Sequence, residues 1–461
     1  MHLCNPRSLE GHLCESIAFV LLLYSCQADL DTPINNGSSS MAGGFDAEPG
    51  AYPWMTMMYI AGGSSASCNG ALINSEWVIT AEHCVFGGTH HVVLGAHEQS
   101  DYRFAPGEEE AEEPGGAKGY DVDFIVSRRD FPELPYADIG LVHLREPVTC
   151  ASHIQALNLV RDPGLITNGK LVDIASWGPV EPGQRPAVLQ RACADNPPEF
   201  NCPDERGLRL KISQPVGWCA QGLVGFRPLA SENLDFMIGD SGSPFVINTT
   251  DGWGLVGVLE GSGAGGSSIN RCIPHYAAWI DAVTQRGLPP TAIDNGEFEN
   301  QGTGWQVSEG SIVNFLSQPV GDEFITVTYI GRQSARLGGA PGTHTLCQDI
   351  DVPADASVLR FVAWASGLGT TNVRFGSLDF PITPPGLERQ VREYQIEELR
   401  GQSASLCFEA GTFETDTFLY IDSVYVGPSF AAHYQSSADA TLLGTNDGCL
   451  SQTVHLPFVT R

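Results

Sequence analysis

Apolar runs in this chain are short, recur at close intervals and are broken by glycine, proline and asparagine. Trp54–Ile60, Ala71–Ile79, His91–Leu94, Ile139–Leu144, Leu171–Ser176, Pro244–Ile247 and Leu255–Leu259 each have the length and residue types of a β-strand. One segment changes period. Tyr276, Trp279, Ile280 and Val283 repeat at helical spacing, which predicts a helix over Pro274–Gln285. Gly287-Leu-Pro-Pro-Thr291 follows, and Pro-Pro cannot continue a helix. The strand pattern resumes at Ser357–Ala363, Ser403–Phe408 and Phe418–Val426, with a polar helical stretch expected near Glu393–Arg400. The pattern predicts an all-β chain: a first block over 41–286, a linker over 287–291, an antiparallel sandwich over 292–427 and a tail over 428–461.

The N-terminus reads differently. Ile17–Tyr24 is an apolar run too short for a bilayer, which needs about 20 residues, so no transmembrane span is expected. It matches the apolar centre of a secretory signal. Two readings stand: an ordinary signal over 1–28, cut near Ala28, or a lipoprotein-type signal in Leu23-Tyr-Ser-Cys26 that leaves a lipid anchor on Cys26. Residues 29–40 are polar and rich in Gly and Ser, and are expected to form a flexible leader or propeptide. The expected location is secreted or at the cell surface.

Composition narrows the class. With 42% hydrophobic and 17% charged residues, 52 Gly and 30 Pro, the chain is too apolar for disorder and too rich in turn formers for a helical bundle. A formal net charge of −30 repels phosphate backbones and anionic membranes, so no nucleic-acid partner is expected. Among 13 cysteines there is no CxxC pair, and no His cluster stands at zinc spacing, so neither a metal nor a cofactor is expected. Scattered cysteines in a strand-rich chain point to disulfides and an oxidising compartment. The acidic run Glu108–Glu113 reads as a solvated loop tip.

Three segments carry chemistry. Cys68-Asn-Gly-Ala-Leu-Ile-Asn-Ser-Glu-Trp-Val-Ile-Thr-Ala-Glu-His83-Cys84 places a histidine after a strand; Asp138-Ile-Gly-Leu opens an apolar strand; Gly239-Asp-Ser241-Gly-Ser-Pro244 sets a serine in a tight turn. Each alone is weak, since a histidine beside a cysteine, an Asp before a strand and a Gly-rich loop are all common. Their order fits one mechanism. A serine hydroxyl needs an adjacent base at neutral pH; a histidine supplies it, and a buried Asp fixes the tautomer of that histidine.

These segments resemble the trypsin/chymotrypsin-like serine protease family: Ala-Glu-His83-Cys84 is similar to its Ala-Ala-His-Cys, Asp138-Ile-Gly-Leu to its Asp-Ile-Ala-Leu, and Gly-Asp-Ser241-Gly-Ser-Pro to its Gly-Asp-Ser-Gly-Gly-Pro. Met41-Ala-Gly-Gly, with Pro53-Trp54 after it, is similar to the family's mature start, and Ser176-Trp-Gly178 to an internal Gly-Trp-Gly. The resemblance covers about 41–286. It implies two packed antiparallel β-barrels with the site in the cleft between them, and a protein or peptide substrate. It implies His83 as general base, Asp138 as its orienter, Ser241 as nucleophile, backbone N–H groups of Gly239 and Ser241 as the oxyanion hole, and a Cys68–Cys84 disulfide. Cys219 is expected to pair with Cys193 or Cys202. Substrate binding would fall to Asp235, which favours Arg or Lys, and to Gly261. Activation would pair the amine of Met41 with Asp240.

Departures from the pattern stand beside it: Ser40–Met41 is no cleavage site for a trypsin-like activator, Phe236 and Met237 alter the pocket, and Leu259 replaces the Ser that supports the Asp. They keep an alternative open, a non-catalytic or weakly active homologue that acts as a binding or adhesion module. In the second block, Ile293-Asp-Asn-Gly-Glu-Phe-Glu-Asn300 and Gly304-Trp305 resemble the opening of galactose-binding-like jelly-roll modules. That resemblance implies carbohydrate as a candidate partner, with Trp305 and Trp364 either stacking on sugar or filling the core, and Glu297, Glu299 and Asp422 as carboxylates to inspect for calcium. Cys347 and Cys407 would bridge, leaving Cys449 odd.

Overall fold

The computed structural model describes residues 45–60, 66–101, 116–127, 137–179, 187–192, 210–213, 218–228, 236, 238–263, 267–308, 312–313, 317–320, 323–326, 328–366, 369–382, 389–412, 418–435 and 449. Their elements are nearly all strands. Six of them close a barrel in the order Met55–Ile60, Cys68–Leu72, Trp77–Thr80, Gly140–Leu144, Lys118–Ser127 and Thr89–Leu94, the last pairing back onto the first. The first three are buried on both faces almost throughout, so their sequences read as continuous apolar runs rather than alternation. The expected strand Ala71–Ile79 is two strands. The Asn74 carboxamide accepts the Glu76 N–H (2.9 Å), an Asx turn that reverses the chain between Leu72 and Trp77.

A nine-stranded sheet follows, running through Phe45–Asp46, Gln190–Ala192, Leu171–Ser176, Leu210–Ile212, Leu223–Pro228, Ser267–Cys272, Gly252–Gly263 and Pro244–Thr249, with Asn158–Leu159 paired in parallel to Gly252–Gly263. Pro244–Thr249 also pairs with Leu171–Ser176, which curls the sheet back on itself. Phe226 and Phe245 stack at 3.9 Å inside it. Burying such a ring stabilises the fold by roughly 1.5–3 kcal/mol. The helix spans Ile273–Arg286, with Pro274 in its first turn, and packs Tyr276, Ala277, Ile280 and Val283 inward.

The C-terminal part forms two five-stranded antiparallel sheets. One runs Gln306–Val307, Gly342–Asp351, Ser403–Thr412, Gly369–Phe375, Leu378–Ile382; the other runs Ile312–Val313, Ala335–Gly338, Phe418–Gly427, Val358–Ser366, Gln390–Gln395. Burial alternates along Gly342–Asp351 and Ser403–Thr412, as a one-faced strand requires, and both sheets contribute to one core. Leu346 and Phe408 pair on its inner side, Cys347 and Cys407 on the outer. The helix expected near Glu393–Arg400 is the edge strand Gln390–Gln395 followed by a 3-10 turn, Glu397–Leu399. Pairing with Val358–Ser366, and the Arg360–Glu393 ion pair across it, hold that polar stretch extended. Trp305 and Trp364 are core residues: Trp305 donates to the Asn295 carbonyl (3.1 Å), and Trp364 stacks on Tyr420.

The disulfides correct two expectations. Cys219 bonds Cys272, at 5.3 Å between Cα atoms, because the turn that leads into Leu223–Pro228 lies beside the end of the neighbouring strand Ser267–Cys272. Cys449 is not left over; it bonds Cys150, 299 positions away, and its carbonyl accepts the Ala156 N–H. Cys68–Cys84 and Cys347–Cys407 are bonded too. Cys193 and Cys202 lie outside the described residues. Among the described residues no helix is long and apolar enough to cross a membrane.

Candidate active site

His83 sits in a one-turn helix, Glu82–Val85, that leaves the barrel at the end of Trp77–Thr80. Asp138 lies two residues ahead of Gly140–Leu144, the strand paired with Trp77–Thr80, so the barrel's own register delivers the two side by side. Both carboxylate oxygens of Asp138 are engaged with this histidine: Oδ2 meets Nδ1 at 2.7 Å and Oδ1 accepts the His83 backbone N–H at 2.8 Å. Against an ionised carboxylate Nδ1 carries the proton, which leaves Nε2 free to accept one. Asp138 is 14% exposed and His83 45%, so the acid is shielded while the ring opens to solvent.

Burial alone would push the His83 pKa down. The hydrogen bond and charge of Asp138, with the charges of Glu260 and Glu82 behind them, push harder, and the net shift is upward from 6.5. Sequence reasoning did not single out Glu260. It is the extra residue of a β-bulge between Leu259 and Gly261, a device that re-aims a side chain. Its carboxylate pairs with Arg271 at 2.8 Å. Burial raises the pKa of Glu260, and the nearby Asp138 adds to that against the pull of Arg271. We expect Glu260→Gln to shift the acid limb of the pH–activity profile to lower pH, because a charge that favours the imidazolium is gone; an unmoved limb would remove Glu260 from the electrostatics of the site.

Ser241 lies in the turn between Gly239 and Pro244 and is partly buried. The turn is built against the strand Cys68–Leu72. The Asn69 N–H donates to the Ser241 carbonyl (2.8 Å), and Gly242, at φ +80°, comes so close to the Asn69 carbonyl and Thr80 Oγ1 that no side chain fits there. Leu259 clamps the other side, accepting from Gly242 N–H (2.9 Å) and donating to the Ser243 carbonyl (3.0 Å). The strand that carries the serine turn at Asn69 is thus disulfide-bonded, at Cys68, to the residue after His83.

Asn69 is the organiser the motifs do not reveal. Fully buried, its Nδ2 donates to the Gly239 carbonyl (2.8 Å) and to Ser176 Oγ (3.1 Å), while its Oδ1 accepts the Trp177 N–H (3.3 Å). The Ser176 hydroxyl donates to Asp240 Oδ1 (2.5 Å), so the buried Asp240 is held from the strand Leu171–Ser176. A polar residue inside an otherwise apolar strand was its only signal. Gly261 lies exposed on Gly252–Gly263, opposite Ile269. Asp235, Met237 and Met41 lie outside the described residues.

Cys68, His83 and Cys84 offer ligand atoms within 4.8 Å of one another, yet the two sulfurs are consumed in their disulfide and cannot hold a metal as thiolates. Asp422 spends both oxygens on backbone N–H groups, Oδ2 on Tyr329 and Ile330 and Oδ1 on Ser423, while Glu299 Oε1 accepts those of Arg332 and Gln333.

The trypsin family model matches residues 41–281, just over half of the chain. The chain belongs to the trypsin family, whose members act on protein substrates and are often secreted. Among solved structures the chain is similar to human heparin binding protein, at 20% identity and a TM-score of 0.43, over 54% of this chain and 100% of that one.

Proposed function

We propose that the chain is a secreted serine endopeptidase that cleaves peptide bonds through an acyl-enzyme, with His83 as general base, Asp138 as its orienter and Ser241 as nucleophile. The observation that carries this reading is the double engagement of His83 by Asp138, at Nδ1 and at the backbone N–H. It fixes the ring and its tautomer, as base catalysis requires. In the reaction Nε2 takes the Ser241 proton as Oγ attacks the carbonyl carbon. The proton then passes to the leaving amine, and water repeats the sequence to release the acid. The N–H groups of Gly239 and Ser241 would face the developing oxyanion.

The curled nine-stranded sheet supports a second barrel in the catalytic unit 41–286, and the paired five-stranded sheets support a jelly-roll module over 292–427. The four disulfides among the described residues fit export to an oxidising compartment. Labelling by a fluorophosphonate tests the catalytic reading; an unlabelled mature protein would leave the non-catalytic homologue.

Asp235 is proposed to select Arg or Lys through a charge-assisted pair at the base of the pocket. Peptides matched except for Arg or Phe before the scissile bond should then differ by roughly 10- to 100-fold in kcat/KM, the scale of about 1.4–2.7 kcal/mol. Equal rates would take Asp235 out of that role.

A further inference from the structure

The segment that follows His83 does not end in solvent; it meets the loop 328–333 that leads into the C-terminal strand Ala335–Gly338. Gly88, whose N–H donates to the Val85 carbonyl, stands at φ +92° facing the Tyr329 carbonyl, and even a methyl group added there would collide with Tyr329. Thr89 comes next. Its hydroxyl donates to the Cys84 carbonyl (3.3 Å), and its backbone forms a parallel bridge with Ile330. Thr89 and Ile330 are both buried.

The partner segment is itself fixed. The fully buried Asp422 accepts the N–H groups of Tyr329 (2.6 Å) and Ile330 (3.4 Å), and Glu299 accepts those of Arg332 (2.5 Å) and Gln333 (2.7 Å). Arg332 then crosses to the barrel, where its Nε donates to Asp121 Oδ1 (2.8 Å), the same oxygen that stands 3.4 Å from Nδ1 of the buried His91. Tyr329 and Ile330 belong to the same apolar cluster as the barrel strands. A tethered module needs none of these contacts. They join a carboxylate-pinned loop to Gly88 and Thr89, at the end of the segment that leaves the histidine, and to Asp121 on the neighbouring strand Lys118–Ser127.

We propose that the loop 328–333, which leads into the C-terminal sheets, is a positioning element for the His83 segment, so that the histidine reaches its working geometry only with those sheets docked. The catalytic consequence rests on the serine protease reading; the positional one does not. A shift of about 1 Å in a catalytic group costs up to about a hundredfold in rate. Loosening Gly88–Tyr329 or Asp121–Arg332 should therefore act on kcat more than on KM.

The test uses the full-length chain with Gly88→Ala and, separately, Arg332→Gln, each shown to be folded by thermal unfolding. Three quantities are read: amide hydrogen exchange over 82–89, the His83 pKa by NMR, and kcat and KM on a peptide substrate. The expected result is faster exchange over 82–89 in both variants and a His83 pKa that falls as the Asp138 contact loosens. A loss in kcat of about 10- to 100-fold for Gly88→Ala is expected, smaller for Arg332→Gln, with KM within about twofold. If Gly88→Ala does not fold, Arg332→Gln decides. Faster exchange confined to 328–333, with the 82–89 amides and the His83 titration unchanged, overturns the proposal. A wild-type chain without peptidase activity would sink the protease reading, and the exchange and titration results would still decide the positional claim.

Discussion

Ser241→Ala should abolish fluorophosphonate labelling and lower kcat on peptide substrates by about 10⁶-fold, the scale seen when the serine of a Ser-His-Asp enzyme is removed. The variant loses one oxygen from a partly buried side chain and none of the turn's framework. The Ser241 carbonyl, the Gly242 N–H and the Ser243 carbonyl make backbone bonds that alanine keeps. Stability should change by no more than about 0.5 kcal/mol. An intact melting transition with no labelling therefore separates lost chemistry from lost fold. Two results would end the enzymatic reading: equal labelling of variant and wild type, or no labelling of wild type whose mature N-terminus has been verified by sequencing. The second would favour the binding module, in which the same turn is kept for shape.

The parts of the candidate site that the sequence picks out are those whose proposed chemistry is local. A histidine, an acid and a serine in short motifs announce themselves, and the strands that flank them follow from apolar runs. The supporting parts are long-range, and no local mark names their partners. Asn69 reaches Gly239, 170 positions on, and nothing in Cys-Asn-Gly says so. The Cys219–Cys272 bond follows from which strand lies beside which, and even-handed cysteine arithmetic cannot choose it. Ala71–Ile79 misleads as one strand because the Asn74 turn sits between two apolar runs with no glycine or proline to break them. The contact between Gly88 and Tyr329 is the extreme case. A glycine after a histidine helix reads as an ordinary stop signal, whereas the structure uses its missing side chain to admit a carbonyl from 241 positions away.

Asp138→Asn should leave the fold and the side-chain volume intact and lower kcat by about 10⁴-fold, the value of the trypsin-type template for this substitution. The reason lies in the donor pattern. The carboxylate accepts at both Nδ1–H and the His83 backbone N–H. A carboxamide can keep one of these with its oxygen but offers an N–H to the other. Kept at the backbone, it turns its donor on Nδ1, stabilises the wrong tautomer and puts the proton on Nε2, where Ser241 needs an acceptor.

The pH profile supplies the independent check. In wild type the His83 pKa is raised above 6.5, so kcat/KM should climb with pH through an apparent value above 6.5 as the base loses its proton. The stability linkage has the opposite sign. A raised histidine pKa stabilises the fold fully below the unfolded value, and that contribution is lost as pH rises through the folded value, so activity appears as this contribution fades. Asp138→Asn removes the strongest upward influence and should flatten both trends, the activity limb moving down toward or below 6.5. A variant that lost activity while its acid limb stayed in place would show that Asp138 acts on the ring's position alone. A variant that kept full activity would mean that another group orients His83.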